Sequence, residues 1–222
     1  MSHLSLWQQF IYYYVHNGSY VLAQFNRTFL ISIYGVLFAA IIGIPVGIFI
    51  SRNGHLGDFV VEIANFIQTI PSLALLSIVM IGLGLGVMTV IVTVTLYSLL
   101  PIIKNTYTGM RNVNKNVIDS GKGMGMTKLQ LLYMVRLPLS MSVIIAGLKN
   151  ALVIAIGITS IGSFVGAGGL GDIIIRGTNA TNGSAIILAG ALPTALMAIL
   201  ADVILNFLQI YTKAKYNYYV LN

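Results

Sequence analysis

Long apolar stretches, each of a length that can cross a bilayer, alternate along this chain with short polar segments. A spanning helix needs about 20 mostly apolar residues. Five stretches meet this requirement, at about 28–50, 59–81, 87–103, 139–162 and 185–210. Residues 6–25 are also rich in apolar side chains, but polar residues and a glycine interrupt them: Gln8, Gln9, His16, Asn17, Gly18 and Gln24. The pattern predicts an all-α membrane protein of about five transmembrane helices, preceded by an interfacial helix.

This pattern also divides the chain into three parts. We assign residues 1–27 to an N-terminal interfacial segment, 28–212 to a transmembrane domain and 213–222 to a tail. Within the transmembrane domain, the two longest segments between spans are a polar loop at 104–138 and a loop at 163–184.

Composition agrees with a membrane location. The chain is 57% hydrophobic and only 8% charged, far from the composition of soluble domains. Its net charge of +7 comes from cations that lie between apolar spans rather than on a soluble face, which argues against nucleic acid as a partner. With no cysteine, disulfides, thiol catalysis and cysteine-ligated metals are excluded, and we expect no metal site.

The distribution of lysine and arginine predicts an orientation. The 104–138 loop carries six of them, the 51–58 loop carries Arg52 and the tail carries two, whereas the 82–86 loop has none and the 163–184 loop has only Arg176. Cytoplasmic loops are the ones enriched in these residues. We therefore place the N-terminus outside, the C-terminus inside and the 104–138 loop in the cytoplasm.

The cytoplasmic loop has an internal pattern of its own. Asp119 lies early in a short helical run, where a helix N-terminus favours negative charge, and Gly125 permits a backbone break. Thr127 can then cap a second helix, which Pro138 ends as it opens the next span. The apolar stripe predicted for that helix is Leu129, Leu132 and Tyr133, with Arg136 at its end. This pattern fits either a hairpin lying on the membrane or a docking element.

Several motifs resemble those of one family. Asp119-Ser120-Gly121-x-x-x-Gly125, with Leu137-Pro138 downstream, resembles the E-A-A-x-x-x-G loop and I-x-L-P of ABC importer permeases, with Asp for Glu and Ser-Gly for Ala-Ala. Three further segments are similar to permeases of osmoprotectant importers, which take up glycine betaine, carnitine, choline and related quaternary amines. They are Ile67-Gln68-Thr69-Ile70-Pro71-Ser72, the run from Leu100-Pro101 to Gly109, and Gly166-Ala167-Gly168-Gly169-Leu170-Gly171-Asp172.

The resemblance, which runs from about residue 28 to 210, implies a type I ABC importer permease in the bacterial plasma membrane. Two permease subunits, homologous or identical, would form the pathway, two ATP-binding subunits would dock on the cytoplasmic loops, and an extracytoplasmic substrate-binding protein would deliver the solute. The implied coupling residues are Asp119, Ser120, Gly121, Gly125, Leu137 and Pro138. The chain would be no enzyme and bind no cofactor, with ATP and Mg²⁺ on the partner subunits; it contains no Walker A sequence.

Other functions remain open at this point. A permease of a methionine-type amino-acid importer would share the five-span plan. A self-contained secondary transporter or channel would show internal repeats and more polar positions within its spans, and a structural membrane adaptor would not need a docking loop. Which quaternary amine is carried does not follow from the sequence.

Two charges fall inside predicted spans, where charges are costly and usually functional. Lys149 lies roughly 16 Å into the fourth span from Pro138, and Asp202 roughly 13 Å from the inner end of the fifth, at 1.5 Å per residue. Their similar depth predicts an ion pair. The alternative is that each faces water separately or extends toward the interface.

The outer loop and the aromatic residues supply the remaining candidates. Gly166, Gly168, Gly169 and Gly171 fit a dinucleotide fingerprint, but no strand–helix unit surrounds them. We interpret them as a sharp turn at the outer mouth, followed by Asp172 and Arg176 at a spacing that pairs on a helix. A quaternary ammonium is bound through aromatic faces, so Tyr34, Phe66, Tyr97 and Phe164 are candidates for the solute path, although such residues more often serve packing.

Overall fold

The described part of the chain consists almost entirely of helices. The computed structural model describes the backbone of residues 5–221 and the side chains of residues 5–215. The α-helices are α1 (Leu6–Ile50), α2 (Gly54–Thr69), α3 (Ser72–Leu83), α4 (Val87–Arg111), α5 (Lys115–Gly123), α6 (Lys128–Gln130), α7 (Leu137–Ile161), α8 (Leu170–Thr178) and α9 (Ser184–Leu221). A π-helical segment (Leu131–Arg136) joins α6 to α7, and a 3₁₀ turn (Gly162–Val165) follows α7.

Five spans follow from these helices. Four helical segments are long and apolar enough to cross a membrane: Leu6–Ile50, Val87–Arg111, Lys128–Val165 and Ser184–Lys215. The fifth is α2 with α3, which qualify together but meet at a bend of 94°. The prediction of an all-α membrane protein with about five spans is confirmed.

The N-terminal segment differs from its prediction. Within the described part of this segment, residues 5–27, there is no separate helix; instead α1 begins at Leu6, capped by Ser5, and runs on through Ile50. Its one interruption is Asn17, whose backbone is not helical. The polar positions that suggested a boundary are used internally, because Gln24 and Thr28 bind the outer loop through the backbone N–H groups of Gly169 and Leu170. Residues 1–4 and 222 lie outside the described residues.

The second span is broken rather than continuous. Ile70 is extended and Pro71 precedes α3, as expected because a proline disfavours the helical conformation of the residue before it. The third span behaves differently: α4 passes through Pro101 and continues to Arg111. The polar loop predicted to start at 104 therefore begins after α4.

Two hydrogen bonds join the broken span to α4. Pro101 has no N–H, which leaves the carbonyl oxygen of Tyr97 without its helical partner. The amide Nε2 of Gln68 donates to that oxygen at 3.1 Å. In return, the hydroxyl of Tyr97 donates to the carbonyl of Ile70 at the break. Unpaired backbone groups are costly in hydrocarbon, so each interrupted helix supplies the partner that the other lacks.

We expect Gln68→Leu to destabilise the protein, because it leaves the Tyr97 carbonyl unpaired at a cost of about 1–3 kcal/mol. Adding Pro101→Ala should recover most of this loss, since alanine restores the N–H that the carbonyl lacks. Thermal unfolding of the detergent-purified single and double variants measures both effects. If the double variant is as unstable as Gln68→Leu alone, Gln68 stabilises the protein by another route.

Helix packing centres on α4, which contacts α1 on one side and α7 on another. Three glycines of α1 allow close approach: a Cβ on Gly35, Gly43 or Gly47 would lie within 3 Å of a side chain of α4. Small residues at such crossings are typical of membrane helices. The main core cluster lies where α1, α3, α4 and α7 meet, while α9 presents large exposed apolar side chains such as Ile199, Ile204 and Phe207.

Candidate functional site

The polar segment after α4 folds into a short helix and a turn. Asn114 caps α5 by accepting a hydrogen bond from the N–H of Asn116 at 2.9 Å. Asp119 is exposed and pairs with Lys122 at 2.8 Å between Oδ1 and Nζ, with 66% and 63% of the two side chains exposed. Ser120 donates to the carbonyl of Asn116. The ion pair and the polar side chains of Asn114 and Ser120 lie at the surface, where an approaching protein can reach them.

Gly125 makes the turn that ends α5. Its φ is +82°, a conformation that costs other residues energy. The N–H of Gly125 donates to the carbonyl of Lys122, and the N–H of Met126 donates to that of Gly121, which together form a Schellman motif. Thr127 then caps α6 in a capping box with Gln130. Both the glycine break and the threonine cap predicted from the sequence are confirmed.

The segment from Val113 to Met134 carries two groups of apolar side chains, one buried and one exposed. Inside, Val113, Ile118 and Leu131 are buried together. Outside, large apolar side chains remain exposed beside the basic ones: Met124, Leu129, Tyr133 and Met134 are each more than 60% exposed. An exposed apolar group on a polar segment is typical of a protein–protein contact.

The helix end predicted at Pro138 is wrong, and the predicted apolar stripe is not the face that packs inward. Leu129 and Tyr133 are exposed, and Leu131 faces the cluster instead. The chain remains helical through Leu137 and Pro138, because the preceding turn widens into a π-helix in which the N–H of Leu137 donates to the carbonyl of Leu132. A widened turn shifts the side-chain phase, which a 3.6-residue period does not anticipate.

The outer glycine loop sits between α7, α8 and α1. Gly166, Gly168 and Gly169 all have positive φ. Gly171 has no room for a side chain, since a Cβ there would lie 1.9 Å from the carbonyl oxygen of Ser160. α1 holds the loop from the other side: Gln24 accepts from the N–H of Gly169 at 2.7 Å. The loop is therefore a rigid turn.

A charged network of Tyr20, Asp172 and Arg176 links α1 to α8 at the outer ends of the helices. Tyr20 donates to Asp172 at 2.6 Å, and the Nε of Arg176 donates to the same carboxylate oxygen at 2.7 Å. Burial alone would raise the pKa of Asp172, but these hydrogen bonds and the charges of Arg176 and Arg27 lower it below its ordinary value. Asp172 is thus held ionised, and it ties α8 to α1.

The structure brings the two intramembrane charges together. Nζ of Lys149 lies 3.3 Å from Oδ1 of Asp202. It does not bring the four candidate aromatic residues together. Tyr97 is buried in the core, whereas Tyr34, Phe66 and Phe164 are exposed. The role of these three in a solute path stays a prediction, while Tyr97 is accounted for by packing and by its hydrogen bond to Ile70.

Reasoning from sequence did not identify a polar cavity of about 460 Å³ between α2, α4, α7 and α9. Its polar lining comprises Gln68, Lys104, Asn105, Asn150 and Asp202. Lys104 was assigned to a loop, and only the continuation of α4 past Pro101 brings it here. Among the described side chains, those of residues 5–215, no three metal-ligating groups cluster.

Comparison with known proteins gives consistent results. A family model described as "Binding-protein-dependent transport system inner membrane component" matches residues 20–215. The chain is 62% identical over 202 residues to the carnitine transport permease protein OpuCD of Listeria monocytogenes, covering 91% of each. It is equally identical to the glycine betaine/carnitine/choline transport system permease protein OpuCD of Bacillus subtilis, covering 91% of this chain and 88% of that one.

Two more distant similarities complete the comparison. The OpuCB permease of the same-named Bacillus subtilis system is 39% identical, over 85% of this chain and 87% of that one. Among solved structures, an inward-facing MetNI methionine ABC transporter chain superposes with a TM-score of 0.76 at 22% identity, covering 86% of this chain and 95% of that chain. At this identity the superposition shows a common fold.

Proposed function

The chain belongs to the family of binding-protein-dependent transport system inner membrane components, and we propose that it is a permease subunit of an ATP-driven importer. Its cargo is a quaternary-amine osmoprotectant: glycine betaine, carnitine or choline. The observation that carries this proposal is 62% identity, over 91% of the chain, to two permeases named for transport of these solutes. The methionine-type alternative has the fold in its favour at 22% identity, and a fold does not specify a cargo.

The segment from α5 to α6 is the element that docks on the ATP-binding subunits. Its exposed Met124, Leu129 and Tyr133 supply apolar contact area, and Asp119 supplies charge. Because an exposed ion pair contributes only about 0–1 kcal/mol, Asp119 can exchange Lys122 for a cation of an ATP-binding subunit at little cost. Gly125 sets the angle between the two short helices.

The other partners follow from the family and from the geometry. A second permease, homologous to this chain, completes the pathway, as suggested by two different permeases, OpuCD and OpuCB, of one named system in Bacillus subtilis. A substrate-binding protein outside the membrane docks at the rigid glycine turn. ATP and Mg²⁺ bind to the two ATP-binding subunits, and this chain performs no covalent chemistry.

Reconstitution tests the transport function. The chain is co-expressed with candidate ATP-binding, second-permease and substrate-binding subunits, and uptake of glycine betaine, carnitine, choline and methionine into proteoliposomes is measured. We expect ATP-dependent uptake of at least one quaternary amine and none of methionine. Uptake of methionine, or flux of any of these solutes through the chain alone, would contradict the proposal.

A matched pair of variants tests the docking element. Gly123 and Gly125 both have open space around the position of a Cβ, but only Gly125 has a positive φ. We expect Gly125→Ala to strain the turn by about 1–2 kcal/mol and to reduce co-purification of the ATP-binding subunits, while Gly123→Ala has no effect. Equal co-purification with both variants would show that the turn does not position the docking surface.

A further inference from the structure

We infer that the polar cavity between α2, α4, α7 and α9 is a transient binding site for a zwitterionic solute during its passage. Lys104 attracts the carboxylate of the solute, and Asp202 faces its quaternary ammonium. This inference rests on the proposed function, because the substrate class defines which charges the cavity has to accommodate.

The position of the cavity argues against a lipid-facing role. Lys104 lies roughly 26 Å along α4 from Val87 at 1.5 Å per residue, so it lines the cavity in the inner half of the spans. Charged and amide side chains in this region face a water-filled path or the bundle interior. The exposed apolar side chains of α9 already provide a lipid-facing surface on this chain. The cavity therefore belongs to the side along which solute moves.

The charges in the cavity are available to a ligand. Among the described residues, neither Lys104 nor Asn150 has a hydrogen-bond or ion-pair partner, and both are exposed. Asp202 shares Oδ1 with Lys149 at 3.3 Å, and half of its side chain remains exposed. One cation is thus without a counter-charge, while one carboxylate is anchored but still accessible. Opposite charges that line one cavity suit a molecule that carries both signs.

The remaining lining fits a compact, methylated solute. Leu100, Val153 and Ile154 line the cavity and offer apolar surface to methyl groups. A volume of about 460 Å³ lies in the range of small-molecule sites. Among the described side chains, none that lines the cavity is aromatic, so the tight cation–π contacts of a high-affinity ammonium site are missing there. A weak site is appropriate here, because a translocated solute has to leave as readily as it enters.

The test removes the unpaired cation in the complete assembly. In proteoliposomes, uptake of glycine betaine or carnitine, whichever the wild type carries, is measured together with ATP hydrolysis stimulated by the substrate-binding protein. We expect Lys104→Gln to lower uptake per ATP hydrolysed by about tenfold, as for loss of one charge-assisted hydrogen bond. Lys104→Arg should retain most of the uptake. Lys213→Gln removes the same charge from the exposed end of α9 and should change nothing.

Choline provides a further contrast where the wild type carries it. Because choline has no carboxylate, its uptake by the Lys104→Gln assembly should fall by less than about twofold. Unchanged uptake per ATP in Lys104→Gln would overturn the inference, and so would an equal loss for choline. Loss of the second permease from the Lys104→Gln assembly would place Lys104 at a subunit contact and would also overturn it. Failure of the wild-type assembly to take up any quaternary amine would instead refute the proposed function.

Discussion

Gly171→Ala is expected to prevent the protein from accumulating in the membrane. A Cβ at this position would lie 1.9 Å from the carbonyl oxygen of Ser160 and 2.6 Å from Oγ of Ser163. The first obstacle is backbone, which cannot rotate away as a side chain can. α8 would have to move off α7, and the hydrogen bonds from Gly169 and Leu170 to α1 would break with it. Combined losses of this kind exceed about 4 kcal/mol.

Gly157→Ala is the matched control for this change. Gly157 lies on α7, and apart from its own chain neighbours and the nearby backbone of α7 no atom lies within 4 Å of the position that a Cβ would take. Alanine also favours a helix more than glycine does, by about 1 kcal/mol. Membrane levels and melting temperatures of the two variants are compared with the wild type. A Gly171→Ala protein with normal level and stability would mean that α8 is not held against α7 as closely as described.

Local signals in the sequence were sufficient for the turn between α5 and α6. A capping threonine and a glycine with positive φ act through their own neighbours within a few residues, so the pattern alone predicts them. The five apolar spans were predictable for a similar reason, because hydrocarbon imposes length and composition on each of them independently.

Long-range partners explain what was not predictable. The polar residues of α1 suggested a boundary near residue 27, but Gln24 and Thr28 find their partners more than 140 residues away in the outer loop. The loop was predicted to start at 104, yet α4 continues past Pro101 because Gln68 from another span compensates for the missing N–H. The same compensation keeps Lys104 within α4, where it lines the polar cavity. The polar cavity was therefore hidden until tertiary contacts were known.

Asp202→Asn is expected to destabilise the protein strongly, because it leaves Lys149 without its counter-charge. Nζ of Lys149 lies 3.3 Å from Oδ1 of Asp202, and only 20% of the lysine side chain is exposed. An uncompensated lysine within a spanning helix costs about 3 kcal/mol. Asparagine keeps the shape of aspartate, so the loss reports the charge rather than a cavity. Thermal unfolding of the purified variant measures it.

Adding Lys149→Gln to Asp202→Asn should recover a large part of the loss, since the double variant buries no unmatched charge. Two interacting side chains give a coupling energy of at least about 0.5 kcal/mol in such a cycle, and purely additive losses would show that each charge is solvated separately. The matched control is Asp119→Asn with Lys122→Gln, the same substitutions in a pair with both side chains mostly exposed. The coupling energy of that cycle should be close to zero, because water screens the exposed pair. A difference between the two coupling energies therefore isolates the contribution of the membrane environment.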